Sequence, residues 1–249
     1  MELTKQSATA RTARRLVHCS DIHLDDSHAG GLQLRARFEL TLTSAAGYAP
    51  DVLIIAGDLF DTNRVPDLTV EWAMQTLAEQ PYPVVMIPGN HDCMQPQGIF
   101  SRFDFDQISN IAMLSAADGE LRVLADLQLA FWGRGMVDHC PEYKPLDGAP
   151  VRPTDSDWYI GVGHGIYVPT GAETHRSSPV LASAIAQSPF DYLALGHHHA
   201  ALEVHEDGVL AAYSGSPTDS IGRGATLAVV DLQPDRASSV AIHAVEDWV

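Results

Sequence analysis

Basic residues are scarce in this chain of 249 residues: 15 Lys and Arg stand against 32 Asp and Glu, for a formal net charge of −17. Nonspecific grip on a polyanion comes mainly from Lys and Arg neutralising phosphates, so a broad nucleic-acid-binding surface is excluded. Only a local basic patch could serve. Cysteine is nearly absent as well. Cys19, Cys93 and Cys140 are odd in number and unpatterned in spacing, which excludes a disulfide framework and suits a reducing compartment. A cytoplasmic location is expected. Long apolar runs are missing too: Val52–Gly57 is far shorter than a bilayer span, and no apolar signal-peptide stretch follows Met1. No membrane association is expected. Hydrophobic residues still make up 45% of the chain, enough to bury a large core, so disorder is excluded for most of it.

The first fourteen residues are polar, carry Lys5, Arg11 and Arg14, and show no apolar periodicity, so residues 1–14 are expected to form a flexible basic tail and 15–249 a single domain. Short apolar runs rich in branched residues predict strands at Leu16–Cys19, Val52–Ala56, Val84–Ile87, Ile111–Leu114, Leu127–Trp132, Trp158–Val162 and Tyr192–Leu195. Several are apolar throughout, as in sheets covered on both faces. Helical spacing of Phe38, Leu42 and Ala45, then of Val70, Ala73, Met74 and Leu77, places helices between the first strands, and a third is expected over Val180–Ala186. Beyond it, Glu203–Tyr213, Ala225–Leu232 and Ser239–Val245 predict strands joined by short turns. This is an α/β pattern with a β-rich ending, which argues for two sheets face to face with helices outside. His139–Asp157, with four prolines, is expected to be a long surface loop.

Five of these strands run into clusters of Asp, His, Asn and Gly: Asp21-Ile22-His23, Gly57-Asp58-Leu59-Phe60-Asp61, Gly89-Asn90-His91-Asp92, Gly163-His164 and Gly196-His197-His198-His199. Loops at the carboxyl ends of strands are where α/β proteins gather their chemistry. Alternate residues of an extended segment point the same way, so Asp21 and His23 are expected to reach one ion, and His197 and His199 to share a face that His198 leaves. Imidazole nitrogens with carboxylate and amide oxygens, and no thiolate, suit manganese, iron or zinc better than calcium.

Taken together and in order, the clusters resemble the calcineurin-like metallophosphoesterases, whose pattern D-x-H, G-D-x-x-D, G-N-H-D/E, G-H, G-H-x-H is met from Asp21 to His199. The resemblance implies a four-layer double β-sandwich flanked by helices. It also implies two divalent ions, manganese foremost, one held by Asp21, His23, Asp58 and His199 and the other by Asp58, Asn90, His164 and His197. A hydroxide between the ions would be the nucleophile in an in-line attack on a phosphoester. His91 would face the substrate as the acid that assists leaving-group departure, with Asp92 accepting a hydrogen bond to orient it. Asp61 is expected either to orient a ligand or to cap a loop, and Cys93 to be a small semi-buried residue.

Ser20–Leu24, Gly57–Asp61 and Ala212–Pro217 further resemble SbcD-type DNA repair exonucleases. That implies a phosphodiester substrate, DNA among them, and an SMC-like ATPase partner. Such nucleases continue into a DNA-capping domain and an ATPase-docking segment, whereas this sequence stops at Val249. Arg35, Arg37, Arg64, Arg102 and Arg134 lie near the motif loops and are candidates for a small basic cleft, although most are expected on solvated surface. Two other readings stay open: a hydrolase of a small phosphodiester such as a cyclic nucleotide or of a phosphomonoester, and a weakly catalytic partner subunit of a DNA-associated complex.

Overall fold

A computed structural model describes residues 11–27, 31–218 and 222–245. Its elements run β1 (Arg14–Cys19), α1 (Gly31–Gly47), β2 (Val52–Ala56), α2 (Asp67–Ala78), β3 (Val84–Ile87), α3 (Ile99–Arg102), β4 (Ile111–Met113), β5 (Glu120–Leu124) and β6 (Leu129–Gly133). There follow β7 (Trp158–His164), β8 (Ile166–Val168), β9 (Pro179–Leu181), α4 (Ala182–Ala186), β10 (Tyr192–Gly196), β11 (Leu202–Glu206), β12 (Val209–Tyr213), β13 (Thr226–Leu232) and β14 (Ser239–Ala244). Among the described residues two six-stranded sheets form, ordered β14-β13-β1-β2-β3-β4 and β11-β12-β10-β7-β6-β5. β1 to β4 run parallel, and so do β6, β7, β10 and β12; β13, β14, β5 and β11 are antiparallel to their neighbours.

The unbroken apolar character of β2 follows from its position. Successive side chains of a strand point to opposite faces, so each face needs its own cover. Val52, Ile54 and Ala56 enter the core between the sheets with Ile160, Val162, Tyr192 and Ala194. Leu53 and Ile55 turn outward beneath α1 and α2, where they meet Phe38, Leu42, Val70, Ala73 and Leu77. In the second sheet Tyr159, Leu193 and Leu195 likewise face outward, toward Leu146, Val180, Ile185 and Phe190. The helix–sheet–sheet–helix layering is therefore present, with the fourth layer reduced to the five-residue α4 and loop segments.

Several sequence expectations need correction. Glu203–Tyr213 is a hairpin rather than one strand: Asp207 and Gly208, with φ of 51° and 91°, form a two-residue turn between Glu206 and Val209. Both left-handed conformations match what such turns require. Pro179–Leu181 is a strand paired with β8, so the third helix starts only at Ala182. β5 was not anticipated, because its mixed sequence Glu-Leu-Arg-Val-Leu belongs to an edge strand. His139–Asp157 lacks helices and strands as expected, yet it is not confined to the surface, since Tyr143 and Leu146 are buried. Order also reaches further toward the N-terminus than expected. Arg11 pairs with Asp191 and lies over the Trp158 ring, and Thr12 N donates to Asp157. Residues 1–10 of the expected tail lie outside the described residues.

Candidate metal centre

Every motif sits at or just beyond the carboxyl end of a strand: Asp21 after β1, Asp58 after β2, Asn90 after β3, His164 at the end of β7 and His197 after β10. The first three strands belong to one sheet and the last two to the other, so the centre lies where both sheets open at the same end. The local backbone is unusual. Asp21, His23, Asp58 and His197 have φ of 57°, 56°, 52° and 92°, left-handed values that cost a side-chain-bearing residue on the order of 1–3 kcal/mol each. The expectation that Asp21 and His23 converge through an extended segment is thus right in outcome and wrong in geometry. The strand stops at Cys19, and two left-handed turns bring the residues together.

Donor atoms of Asp21, His23 and His199 lie within 4.8 Å of one another, as do those of Asp21, Asp58 and His164. His23 Nε2 is 3.3 Å from His199 Nε2 and 3.9 Å from Asp58 Oδ2, and His199 Nε2 is 3.6 Å from Asp21 Oδ1. On the other side Asn90 Oδ1 lies 3.0 Å from His164 Nε2 and 2.7 Å from His197 Nδ1, while His164 Nε2 is 3.2 Å from Asp58 Oδ2. Asp58 Oδ2 thus faces a donor on each side, His23 and His164, with its side chain only 1% exposed, and Asp21 falls within ligand reach of both groups as well. Gly57 and Gly89 make room for this: a Cβ on Gly57 would stand 2.2 Å from His164 Nδ1, and one on Gly89 would stand 2.1 Å from Asp58 Oδ1. His198 turns elsewhere, its Nδ1 2.7 Å from the Ala200 carbonyl.

The surroundings set the protonation of these groups. His164 Nδ1 is 2.8 Å from the Ala56 carbonyl, so it donates there and leaves Nε2 facing Asp58 and Asn90. Burial pushes the His197 pKa down to about 3, helped by His164, and lowers that of His23 against the pull of Asp58 and Asp21. Both rings are neutral at pH 7. For His164, burial opposes charge but Asp58 outweighs it and pushes the pKa up to about 9. Burial would raise the Asp58 pKa in turn, yet His164 and His23 hold it below the usual carboxylate range.

His91 follows Asn90 and stands at the rim with its side chain 42% exposed. Its Nδ1 lies 2.6 Å from the Asp61 carbonyl oxygen, and its ring centroid 4.6 Å from that of His23. It also falls within ligand reach of His23 and Asp58, so substrate and metal roles both have to be tested there. Asp92 does not orient it. Both Asp92 oxygens are taken by backbone N–H groups, Gly89 at 2.7 Å and Phe60 at 3.1 Å, so this buried carboxyl ties the β2 loop to the β3 loop. Burial, together with the charge of Asp58, pushes its pKa up to about 7. Asp61 holds His91 instead, through its carbonyl, and its Oδ1 lies 3.6 Å from His91 Nδ1 and 3.1 Å from His23 Nδ1, the latter without hydrogen-bond geometry.

One residue escaped the sequence reading altogether. His139 packs edge-on against His197 with ring centroids 5.2 Å apart, and its Nε2 is buried with no hydrogen-bond partner among the described residues. Nothing near His139 in the sequence signals this, because its partner lies 58 positions away. Of the five arginines near the motifs, Arg35 pairs with Asp26, Arg102 with Asp67, and Arg134 donates to the Ala117 and Lys144 carbonyls. Arg37 and Arg64 are exposed and make no side-chain bond or ion pair among the described residues.

A hydrolase of phosphate esters that depends on divalent metal is the class defined by this double sandwich with paired donor sets at its strand ends. The calcineurin-like phosphoesterase model matches residues 14–201, well over half of the chain, and the chain belongs to that family. In sequence it is similar to the SbcD component of the SbcCD nuclease of Bacillus subtilis, 24% identical over 88% of this chain and 66% of that protein. The chain thus spans just under two thirds of that relative's length. In fold it is similar to an archaeal phosphodiesterase, with TM-score 0.52 and 12% identity over 92% of this chain and 99% of that one. A purple acid phosphatase from yellow lupin (Lupinus luteus) seeds gives TM-score 0.56 and 12% identity over 94% of this chain and 52% of its own. No helix among the described residues is long and apolar enough to cross a membrane.

Proposed function

We propose that this chain is a dinuclear phosphodiesterase of nuclease-like type, acting on DNA. The observation that carries the reading is the sharing of Asp58 by two donor sets. Asp21, His23, Asp58 and His199 would hold one ion, and Asp58, Asn90, His164 and His197 the other. Manganese is the first choice, with iron or zinc next, since the donors are nitrogen and oxygen without thiolate. Bound there, two divalent ions supply an activated water and neutralise charge on the phosphoryl group. The chain's own groups do the rest. Asp61 steadies His23 through its side chain and His91 through its carbonyl, and His91, exposed at the rim, delivers a proton to the departing oxygen. Arg64, exposed on the loop that also carries Asp61, would meet a phosphate of the substrate backbone.

The similarity to a named subunit of a nuclease supports a nucleic-acid substrate and a partner subunit, and the motif resemblance to SbcD-type exonucleases supports DNA and an SMC-like ATPase in those places. Three free cysteines, two of them buried, support a cytoplasmic setting. The engagement of Arg35, Arg102 and Arg134 favours a second reading, in which the substrate is a small phosphodiester needing no extended basic track. A panel with manganese present decides between them: single-stranded DNA, duplex ends, cyclic nucleotides and an aryl phosphodiester. Turnover of DNA that falls on Arg64→Ala supports the nuclease. Robust cyclic-nucleotide turnover with inert DNA refutes it, and inactivity on every phosphoester with both ions bound refutes both readings.

A further inference from the structure

The segment Tyr213-Ser214-Gly215-Ser216-Pro217 supplies no donor to either set, yet it runs directly behind Asp21. Ser214 and Ser216 are 0% and 1% exposed. Ser216 Oγ donates to the Asp21 carbonyl at 2.8 Å, and Ser216 N donates to the His199 carbonyl at 3.1 Å. One residue thereby grips two members of the same donor set, one from each sheet. Ser20 Oγ donates to Asp21 Oδ2 at 2.5 Å, and Ser214 Oγ lies 3.2 Å from Ser20 Oγ. A hydroxyl has a single proton, so Ser20, having given its own to the carboxylate, can only accept from Ser214. The Gly215 carbonyl, 2.9 Å from Ser214 Oγ, competes for that proton and makes Ser214 the weaker arm. Gly215, with φ of 75°, turns the chain so that both serines face Asp21, and a Cβ there would stand 2.3 Å from Thr226 Oγ1.

This framework answers a problem set by Asp21 itself. A left-handed Asp with φ of 57° persists only where its surroundings over-determine it. Here its N–H donates to the Gly57 carbonyl at 3.1 Å, its carbonyl is held by Ser216, and both carboxylate oxygens lie 3.1 Å from His197 N. With Oδ2 engaged by Ser20, Oδ1 is the oxygen turned toward His199 Nε2. We propose that Ser216, with Ser214 acting through Ser20, is a positioning device for the ion of Asp21, His23 and His199: Ser216 holds the strained backbone of Asp21 and tethers His199, and Ser20 fixes the carboxylate, before metal arrives. The proposal rests on the dinuclear reading above and adds to it residues that never touch metal.

The test titrates manganese into the metal-free chain by calorimetry and follows melting with and without the ion, for Ser216→Ala, Ser214→Ala and Thr226→Val. Thr226 Oγ1 donates to the Ser214 carbonyl at 2.7 Å and touches neither Asp21 nor His199, so its variant reports the cost of loosening the segment alone. Groups that support metal ligands typically contribute 10–100-fold in affinity. Ser216→Ala is expected to lose affinity for one of the two ions within about that range, Ser214→Ala less, and Thr226→Val none, with all three melting alike when metal-free. Saturating manganese should restore kcat in both serine variants with KM for an aryl phosphodiester unchanged. Wild-type affinity in Ser216→Ala, or an equal loss in Thr226→Val, overturns the proposal while leaving the dinuclear reading intact. If wild-type chain binds fewer than two ions, that reading falls and this one with it. Should Ser216→Ala fail to fold, Ser20→Ala, which removes the hydroxyl on Oδ2, decides: unchanged manganese affinity there also overturns it.

Discussion

Asp61 reaches His23 and His91 through its carboxylate and His91 again through its main-chain carbonyl, and only the carbonyl contact survives a change of side chain. Its side-chain Oδ1 lies 3.1 Å from His23 Nδ1 and 3.6 Å from His91 Nδ1, and its main-chain carbonyl lies closer to His91 Nδ1, at 2.6 Å. Replacing Asp61 with Ala deletes both carboxylate contacts and keeps the shorter carbonyl contact that holds His91. A carboxylate hydrogen-bonded behind a ligating imidazole is worth about 10–100-fold in metal affinity, or about 1.4–2.7 kcal/mol. The Asp61–His23 contact is an ion-pair approach without hydrogen-bond geometry, which favours the lower end. The Asp61 side chain is 41% exposed, so water shares in solvating it and the lower end, about tenfold, is expected. Asp61→Asn keeps an acceptor at the same place and should lose less. The assay is activity on an aryl phosphodiester against manganese concentration, with bound metal measured on the same samples. The activation midpoint should move about tenfold upward in Asp61→Ala, and kcat at saturating metal should stay close to wild type because the carbonyl still holds His91. Unchanged metal affinity would refute the coupling to His23. A fall in saturated kcat by about 10², the scale of a lost acid catalyst, would show that the carboxylate holds His91 after all.

Asp58→Ala should abolish activity and lose more metal than any other single change, since both donor sets meet there; two tightly retained ions in elemental analysis would break the assignment. His91→Asn should keep both ions and slow a nucleoside leaving group by about 10²–10⁴-fold, with a smaller penalty for an aryl ester; equal penalties would point to phosphoryl-charge stabilisation, and metal loss would make His91 a ligand. His18 is wholly buried beside the Tyr192 hydroxyl, and burial pushes its pKa from 6.5 down to about 3. The unfolded chain therefore binds the extra proton first, and the stability that neutral His18 contributes is complete above pH 6.5 and lost as pH falls toward 3. Metal-free urea unfolding between pH 7 and 4 should lose up to about 1.4 kcal/mol per pH unit from this group, so His18→Gln should show a flatter profile. Identical slopes would contradict it.

The parts of this fold that could be read from sequence are those whose cause is local. β2 and β3 match their expected bounds, Val52–Ala56 and Val84–Ile87, because an unbroken apolar run between turns has few other uses in an α/β chain. The donor sets were legible because each motif ends a strand, and a parallel sheet delivers strand ends to one edge. What stayed hidden depends on partners distant in the chain. The carboxyl of Asp92 is spent on Phe60 N, 32 positions back, while His91 is held by Asp61, 30 positions back. Adjacency in sequence suggested the wrong pair. His139 lies at the head of a Pro-rich stretch that carries no periodicity. Although Asp and His adopt left-handed dihedrals more readily than most residues, those types are too common for the turns at Asp21 and His23 to be read from them.

The position of β1 has a consequence for the order in which the molecule is made. It lies inside its sheet, with β2 on one side and β13 on the other, and Leu16 is paired with Val230. At synthesis rates of about 5–20 residues per second, β13 leaves the ribosome roughly 10–40 s after β1. During that interval one edge of β1 has unpaired N–H and C=O groups, a template for any other strand nearby. Ser216, the residue that grips Asp21, belongs to the same late stretch, so the edge and the strained carboxylate are closed by the same segment. A nascent chain stalled before Thr226 should exchange the β1 amide hydrogens toward β13 rapidly, and protection of Leu16 in such a chain would show that another strand had taken the vacant place.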